Sequence, residues 1–322
     1  MSFLKGAVYL LNRNRFLKII IYLIILVVGV SACSSIKKSI YNTEIAIERF
    51  RSGLTLKTID IENQKISYLE GGEGDTVLLV HGYTASKEIW IRFAKILKDQ
   101  YRVIAIDLPG HGDSTASLNH SYSIHSQVQY LNQIIDKLGL EKIHLVGNSM
   151  GGSISLSFTK TFQAKVKTLA LFNSGGVTSP QPSEFQKLLK QGKNPFIVKN
   201  IDEFNALTDL SMSSPPFFPW PVMSVMYQKY IDRFQINQKI YTDISRELWK
   251  SEHVLKTIDV PVLILWGADD RLIDVSCVEI FNKNIPNSTA VIMEKTGHCP
   301  MLEKPEEAAR HYLDFLQKKN AS

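Results

Sequence analysis

Residues 143–152, Ile-His-Leu-Val-Gly-Asn-Ser-Met-Gly-Gly, contain the pattern Gly-x-Ser-x-Gly with the serine at position 149. The apolar run Ile143–Val146 predicts a buried strand, and the run Gly151–Thr161 predicts a helix. On so sharp a strand-to-helix turn the serine hydroxyl projects from the sheet, and side chains at positions 147 and 151 would collide. The helix N-terminus also favours a developing oxyanion. This context predicts that Ser149 is a nucleophile; the five residues alone would also fit a structural glycine turn.

A nucleophilic serine needs a base, a group that orients the base, and donors for the oxyanion. Of the eight histidines, only His298 follows a predicted strand, Thr289–Met293, in a glycine-marked loop ahead of a helix. Loops at strand ends are where catalytic side chains are usually carried. We therefore predict His298 as the base, with a hydrogen-bonded loop histidine as the alternative. His144, inside a strand, is expected to be packed or hydrogen-bonded.

The orienting group should be a carboxylate at another strand end. The buried run Pro261–Trp266 is followed by Gly267-Ala268-Asp269-Asp270, and two adjacent aspartates cannot both point at one imidazole. The loop after the run Thr168–Phe172 holds Asn173 and Ser174, which carry no charge to stabilise an imidazolium. The acid is therefore expected in the later loop, at one of its two aspartates.

Backbone amides are expected to bind the oxyanion. One belongs to Met150, the residue after the nucleophile, and the other should lie after an earlier strand. The strand-like run Thr76–Val80 precedes His81-Gly82-Tyr83, where Gly82 allows a close backbone approach and leaves the Tyr83 amide to point into the site. For His81 we expect a hydrogen bond that orders the loop.

These motifs resemble those of one enzyme superfamily. From about Leu56 to Leu316 the chain resembles an α/β-hydrolase of the bacterial lipase and monoacylglycerol-lipase type. The matching segments are His81-Gly82-Tyr83, Asp107-Leu108-Pro109-Gly110-His111-Gly112-Asp113-Ser114, Gly147-Asn148-Ser149-Met150-Gly151-Gly152, Trp266-Gly267-Ala268-Asp269-Asp270 and Gly297-His298. The resemblance implies the triad Ser149, Asp270 and His298, with Asp269 as the fallback acid and the Tyr83 and Met150 amides as the oxyanion hole. It further implies a serine ester hydrolase that uses no cofactor and no metal.

The alternation of apolar runs with amphipathic helices predicts an α/β fold: a mostly parallel, twisted sheet flanked by helices. The alternation stops after Asn173 and resumes at Val260, which predicts an inserted helical cap. The expected organisation is a signal peptide or membrane anchor over residues 1–32, a tether over 33–55, a core over 56–176 and 256–322, and the cap over 177–255.

The formal charge of +6 does not indicate a nucleic-acid partner. Six basic residues and no acidic ones fall in the first forty positions, and the remaining 31 basic residues match the 31 acidic ones. The folded body is therefore neutral overall, without the basic excess that nucleic acid requires.

The N-terminus has the features of a targeting sequence. A basic region through Lys18 leads into the uncharged run Ile19–Val30 and then Ser31-Ala32-Cys33, the layout of a bacterial secretory signal. The residues Val30-Ser31-Ala32-Cys33 resemble a lipobox, which implies lipidation of Cys33. Ser34, in the next position, resembles the residue that directs such lipoproteins to the outer membrane. An uncleaved inner-membrane anchor and a soluble secreted form are the alternatives, although the run is short for a spanning helix. We expect a membrane-anchored protein of the bacterial cell envelope.

The segment Met212–Met223 combines four prolines with three aromatic residues and could line an acyl pocket, contact a lipid surface or pack on the core. The expected substrate is a lipid or acyl ester such as a monoacylglycerol. A C–C bond hydrolase, a peracid-forming perhydrolase and a non-catalytic lipid-binding lipoprotein are the other hypotheses. The sequence leaves the oligomeric state open. Cys277 is expected in the core. A disulfide to Cys299 outside the cytoplasm is the less favoured alternative, because two cysteines in a chain of this size do not make a disulfide framework.

Overall fold

The computed structural model describes residues 34–245 and 247–320. The predicted signal peptide or anchor, residues 1–32, and the predicted lipidation site, Cys33, lie outside the described residues. The described chain divides into two compact units. One consists of the residues up to Ala46 together with Phe218–Lys229, and the other consists of Ile47–Phe217 and the residues from Tyr230 onward.

Two cation–π contacts join the segments of the first unit. The Lys37 ammonium lies 4.4 Å from the ring centroid of Trp220, and the Lys229 ammonium lies 4.4 Å from that of Tyr41. The predicted tether is largely helical, because helix α1 runs over Ser34–Arg51.

Within the described residues, eight strands form one sheet in the second unit. They are β1 (Thr55–Ile61), β2 (Gln64–Gly71), β3 (Thr76–Val80), β4 (Arg102–Ile106), β5 (Ile143–Asn148), β6 (Val166–Phe172), β7 (Val262–Gly267) and β8 (Ser288–Met293). Their order is β1-β2-β4-β3-β5-β6-β7-β8, with β2 antiparallel to both its neighbours and every other pair parallel. The predicted mostly parallel sheet is confirmed.

Alternating side chains of the central strands divide between two hydrophobic cores. On β3, Leu78 and Val80 belong to one core and Val77 and Leu79 to the other, and all four are fully buried. A strand that is covered on both faces must be apolar throughout, which explains the continuous run over Thr76–Val80. The sheet is therefore the middle of three layers.

Helices form the two outer layers and the segment between β6 and β7. The α-helices after α1 are α2 (Ile91–Leu97), α3 (Ile124–Lys137), α4 (Met150–Thr161), α5 (Glu184–Lys190), α6 (Ile201–Ser211), α7 (Trp220–Asp232), α8 (Phe234–Ile244), α9 (Cys277–Asn284), α10 (Pro300–Glu303) and α11 (Pro305–Asn320). Short 3-10 helices cover Lys87–Trp90, Gln163–Lys165 and Glu252–Thr257. Apart from Arg246, which is not described, residues 177–255 contain helices and no strand.

The parallel strands bring four loops to the same edge of the sheet. The loops after β5, β6, β7 and β8 contain Ser149, Asn173, Asp270 and His298, respectively. Ligands of open α/β sheets bind outside the carboxyl ends of the strands. This edge is where the candidate site lies.

Candidate active site

Ser149 occupies a strained turn between β5 and α4. Its φ of 57° and ψ of −120° are rarely adopted by a residue with a side chain. The surrounding structure holds this conformation: the Ser149 amide donates to the Phe172 carbonyl at 3.1 Å, and its carbonyl accepts from Gly175 at 2.9 Å. Although Ser149 is the N-cap residue of α4, its side chain makes no capping hydrogen bond. The half-buried hydroxyl is thus not used to stabilise the helix.

Three glycines allow this turn. A Cβ at Gly147 would overlap the Gly151 carbonyl, and a Cβ at Gly151 would overlap the carbonyls of Val80 and His81. A Cβ at Gly152 would overlap the Ser174 side chain. The collisions expected at 147 and 151 are present, and position 152 is equally restricted.

His298 and Asp270 are in direct contact. The His298 Nδ1 lies 2.8 Å from the Asp270 Oδ2, and both residues are buried, at 5% and 6% exposure. Since an ionised carboxylate only accepts, Nδ1 donates the proton, and in the neutral ring Nε2 carries the lone pair. A ring held in this tautomer can accept a proton through Nε2.

Asn173 is a neighbour of the acid that we did not predict. Its Nδ2 donates to the Asp270 Oδ2 at 2.6 Å, and its Oδ1 accepts from the Gly267 amide at 3.3 Å. We excluded Asn173 as the acid because its side chain carries no charge. We did not predict that its amide would donate a hydrogen bond to the carboxylate of the acid. The available sequence signal was an asparagine at the end of a strand. Asparagine tolerates a positive φ, here 45°, so its presence indicates a sharp turn of the chain at the edge of the sheet where the site lies.

Asp269 points elsewhere. Its Oδ2 accepts a hydrogen bond from the Ser213 hydroxyl at 2.8 Å, in the segment after α6. The structure therefore places Asp270 against the imidazole, whereas Asp269 binds a residue of the predicted cap.

Asn148, the residue before the serine, links the serine turn to the histidine loop. Its buried Nδ2 donates to the Phe172 carbonyl and to the His298 carbonyl, both at 3.1 Å. A polar residue at the end of an apolar strand was the signal for this contact. The bond fixes the main chain of the histidine next to the serine.

The loop after β3 lies against the serine. A Cβ at Gly82 would be 3.0 Å from the Ser149 Cβ and 3.2 Å from the Asn148 Oδ1, so only glycine fits without displacement. The next residue, Tyr83, donates its hydroxyl to the Asn237 carbonyl at 2.8 Å, and burial raises the pKa of its phenol. Met150, buried, is the first residue of α4. The two predicted oxyanion residues thus flank the serine turn from different elements.

His81 orders this loop, as predicted. The Leu108 amide donates to the His81 Nε2 at 3.1 Å, so the proton is on Nδ1, which donates to the Gly82 carbonyl at 2.8 Å. Burial lowers the pKa of the His81 imidazole, which keeps the ring neutral. The bonds connect the loops after β3 and β4.

A buried ion pair fixes the loop after β4. The Lys87 ammonium lies 2.7 Å from carboxylate oxygens of both Asp107 and Asp113. Burial opposes the charge of Lys87, but the charges of Asp107 and Glu88 outweigh it, and the pKa of the ammonium is raised. The side chains of Lys87 and Asp107 are buried whereas that of Asp113 is exposed, so removing Lys87 would leave the Asp107 carboxylate as an uncompensated buried charge.

Neither cysteine of the described chain is in a disulfide. Cys277 is buried in the core, as expected, and burial raises the pKa of its thiol to about 12. Burial also raises the pKa of the Cys299 thiol. Among the described residues, no group of three or more His, Cys, Asp or Glu side chains is placed to hold a metal ion.

Comparisons with known proteins show which family this chain is similar to. A family model described as alpha/beta hydrolase fold matches residues 75–305, a range that includes Ser149, Asp270 and His298. Lipase 1 of Psychrobacter immobilis is 31% identical over 84% of this chain and 87% of its own length. A monoacylglycerol lipase of Xenopus laevis is 29% identical over 82% of each chain. The crystal structure of a membrane phospholipase A, a bacterial virulence factor, is 33% identical, with a TM-score of 0.88 over 96% of this chain and 100% of that one.

Proposed function

We propose a mechanism for this chain, which belongs to the alpha/beta hydrolase fold family and is a carboxylic ester hydrolase of the lipase type. Ser149 attacks the ester carbonyl while His298 takes its proton through Nε2. The His298 imidazolium then gives the proton to the leaving alcohol, and a water molecule hydrolyses the acyl-enzyme in the same way. Asp270 keeps the imidazole in the required tautomer and stabilises its charged form.

The contact between His298 and Asp270 carries this proposal. This 2.8 Å hydrogen bond joins two buried side chains and neither caps a helix nor closes a turn. It engages Nδ1 of the imidazole and leaves Nε2 available for proton transfer. Asn148 holds the carbonyl of the same histidine beside the serine turn.

The Tyr83 and Met150 amides are proposed to bind the oxyanion. Met150 begins a helix, whose first amides have no partner within the helix, and the close approach of Gly82 to Ser149 brings the next peptide to the serine. Such preorganised donors lower the barrier because charge develops where they already point.

Acyl esters of glycerol, including monoacylglycerols, are the proposed substrates. Relatives named as a monoacylglycerol lipase and a membrane phospholipase A support this substrate class. Two aromatic residues of the predicted cap are exposed, Phe217 by 87% and Trp220 by 55%, so packing on the core does not account for them. Each CH₂ removed from water contributes about 0.8 kcal/mol, so kcat/KM should rise with acyl length until the pocket is full. We propose a preference for medium chains.

Attachment to the cell envelope through a lipidated Cys33 is the proposed localisation, at the outer membrane, with an uncleaved inner-membrane anchor as the alternative. The sequence 30–33 supports it. Two or three acyl chains on one cysteine would anchor the enzyme stably, whereas one would hold it only marginally. In the described part of the chain, no helix has both the length and the apolar character needed to cross a bilayer.

A fluorophosphonate probe tests the mechanism directly. We expect labelling at Ser149 in the wild type, and none in Ser149→Ala, whose hydrolysis of p-nitrophenyl esters should fall by several orders of magnitude. Near-normal hydrolysis by Ser149→Ala would exclude this residue as the nucleophile. Absence of labelling in folded wild type would favour the lipid-binding alternative.

A substrate panel tests the specificity. Esters from C2 to C18 and monoacylglycerols should be cleaved faster than substrates that are split at a C–C bond. Perhydrolysis, in which hydrogen peroxide attacks the acyl-enzyme and a peracid is released, should be a minor reaction. Faster C–C cleavage or perhydrolysis would replace the ester assignment while leaving the triad in place.

A further inference from the structure

The main chain of His298 is held from two sides. Its amide donates to the carbonyl of Ser211 at 2.9 Å, and its carbonyl accepts from Asn148 at 3.1 Å. Ser211 is the last residue of helix α6, which belongs to the region predicted as the cap. The two peptide groups that flank the Cα of the proposed base are thus bonded to the end of a cap helix and to the serine turn.

The Glu303 carboxylate joins the same two segments. Its Oε2 accepts from the amides of Ser213 and Ser214, at 2.8 and 2.9 Å, just beyond the end of α6. Both its oxygens accept from the Gly297 amide, at 3.1 and 3.0 Å, and Oε1 accepts from the Cys299 amide at 3.1 Å. The carboxylate therefore binds the residues on either side of the proposed base and the start of the segment after α6.

The close packing at Gly297 shows that these bonds hold one compact junction. A Cβ there would lie 2.7 Å from the Ser213 nitrogen and 3.0 Å from the Met212 Cα. Hydrogen bonds to an ionised acceptor are the stronger kind, and losing the acceptor would leave several amides without a partner.

The acid loop is attached to the same segment. The Arg271 guanidinium donates to the carbonyls of Asp209 and Met212, and the Ser213 hydroxyl donates to Asp269. The two neighbours of the proposed acid therefore contact the end of α6, while the acid itself contacts the imidazole.

We propose that Glu303 is a positioning residue that makes residues 209–214 part of the support of His298, and that this end of the cap stays fixed during turnover. The inference rests on the proposed role of His298 as the base. Movement of residues 209–214 away from the core would break the bond to the His298 amide and release the imidazole from its position. A misplacement of 1 Å at a reacting group can cost about a hundredfold in rate.

Glu303→Gln tests this proposal, with Glu306→Gln as the matched control. Glutamine has the same shape as glutamate, but it presents an NH₂ group where the surrounding amides need an acceptor. Glu306, the control position, is an exposed carboxylate on α11. For p-nitrophenyl butyrate we expect Glu303→Gln to lower kcat by about 10- to 100-fold, with KM changed by less than about twofold, since Glu303 positions the base without touching substrate. Glu306→Gln should match the wild type in both.

Two further measurements report position without turnover. The low-field proton resonance of the His298 Nδ1–H, assigned by its absence in His298→Ala, should shift or broaden in Glu303→Gln and stay unchanged in Glu306→Gln. Hydrogen exchange of residues 209–214 should be faster in the first variant only.

The outcomes separate this proposal from the proposed function. A folded Glu303→Gln with wild-type kcat and an unchanged resonance overturns the positioning role, and so does an equal loss in Glu306→Gln. Failure of the wild type to label at Ser149 would instead count against the proposed function. If Glu303→Gln does not fold, Glu303→Asp decides by the same measurements, because its shorter side chain keeps the charge and cannot reach both segments.

Discussion

At the scale of single residues, the Asp270 carboxylate has donors on both of its oxygens. Oδ2 accepts from His298 and Asn173, and Oδ1 accepts from the amides of Leu272 and Ile273 at 2.8 and 3.0 Å. These bonds replace the hydrogen bonds to water that burial removes. Asp270 can therefore act as a fixed acceptor for the imidazole.

Exchanging each aspartate for asparagine separates the two acidic positions. Asp270→Asn should lower kcat by about a thousandfold or more, because an amide facing Nδ1 favours the wrong tautomer. Asp269→Asn replaces one carboxylate oxygen by an amide NH₂ but keeps an oxygen that can accept from the Ser213 hydroxyl, and it should lower kcat by less than about tenfold. Steady-state kinetics on a short p-nitrophenyl ester measure both. The reverse order of effects would move the acid role to position 269.

His144 makes stability depend on pH. Burial and the charge of Lys167 lower its pKa to about 4, while Nδ1 is hydrogen-bonded to Thr168 as expected for a packed strand residue. Because the folded pKa lies below the unfolded one, its contribution is complete above pH ~6.5 and is lost as the pH falls towards 4. The free energy of unfolding should decrease through this group by about 3 kcal/mol at pH 4.

Urea unfolding of His144→Gln between pH 7 and pH 4 measures this contribution. The variant should lose less stability on acidification than the wild type, though some loss remains because His81 and His111 also have pKa values lowered by burial. His253→Gln, at an exposed position, serves as the control and should follow the wild type. Equal acid sensitivity of wild type and His144→Gln would contradict the prediction.

At the scale of elements, the turn between β5 and α4 depends on close backbone contact. Gly147, at the end of the strand, faces the Gly151 carbonyl and the Ser155 hydroxyl where any Cβ would be. The strand and the helix are in turn packed in the core, so neither can shift to make room. The strained serine is held by elements that are stable for other reasons.

Gly147→Ala should therefore cost about 3 kcal/mol or more of the free energy of unfolding through overpacking. Gly139→Ala is the control: no heavy atom lies within 4 Å of its Cβ position, and only its φ of 65° is unfavourable. That conformational cost is about 1–2 kcal/mol. Urea unfolding monitored by circular dichroism compares the two, and similar losses would show that the contacts at 147 can relax.

At the scale of the whole molecule, the N-terminus and the hydrolase core are expected to perform separate tasks. The core carries the proposed triad within the family match at 75–305, whereas the lipobox-like residues precede it. Loss of the anchor should then change where the enzyme is found but not the chemistry of Ser149.

Fractionation of cells that produce wild type or Cys33→Ser checks this separation. The wild type should be recovered in the membrane fraction with a lipid-modified N-terminus, and Cys33→Ser should remain unprocessed at the lipobox. Its kcat on a short soluble ester, measured after detergent extraction, should stay within about twofold of the wild type because the site is intact. Identical processing and anchoring of the two proteins would remove the lipoprotein assignment.

Much of the architecture could be predicted because its signals are local. A strand covered on both faces has to be apolar along its length, and a serine turn of this shape requires glycines two positions away. Those constraints act between neighbours in the chain, so they predicted the parallel sheet, the helical segment between β6 and β7, and the positions of Ser149 and His298 at strand ends.

The contacts that support the site were decided by the tertiary structure. Asn148 donates to a carbonyl 150 positions away, and Asn173 donates to Asp270 across 97 positions. The way in which separate loops meet also decides which of the two adjacent aspartates faces the imidazole. It likewise decides that Glu303 binds both the histidine loop and the residues just after α6. The sequence alone determined the elements and the chemical groups at their ends, because both follow from the preferences of neighbouring residues. Only the folded chain determined the partners of those groups, because a hydrogen bond depends on distances that packing of the whole sheet sets.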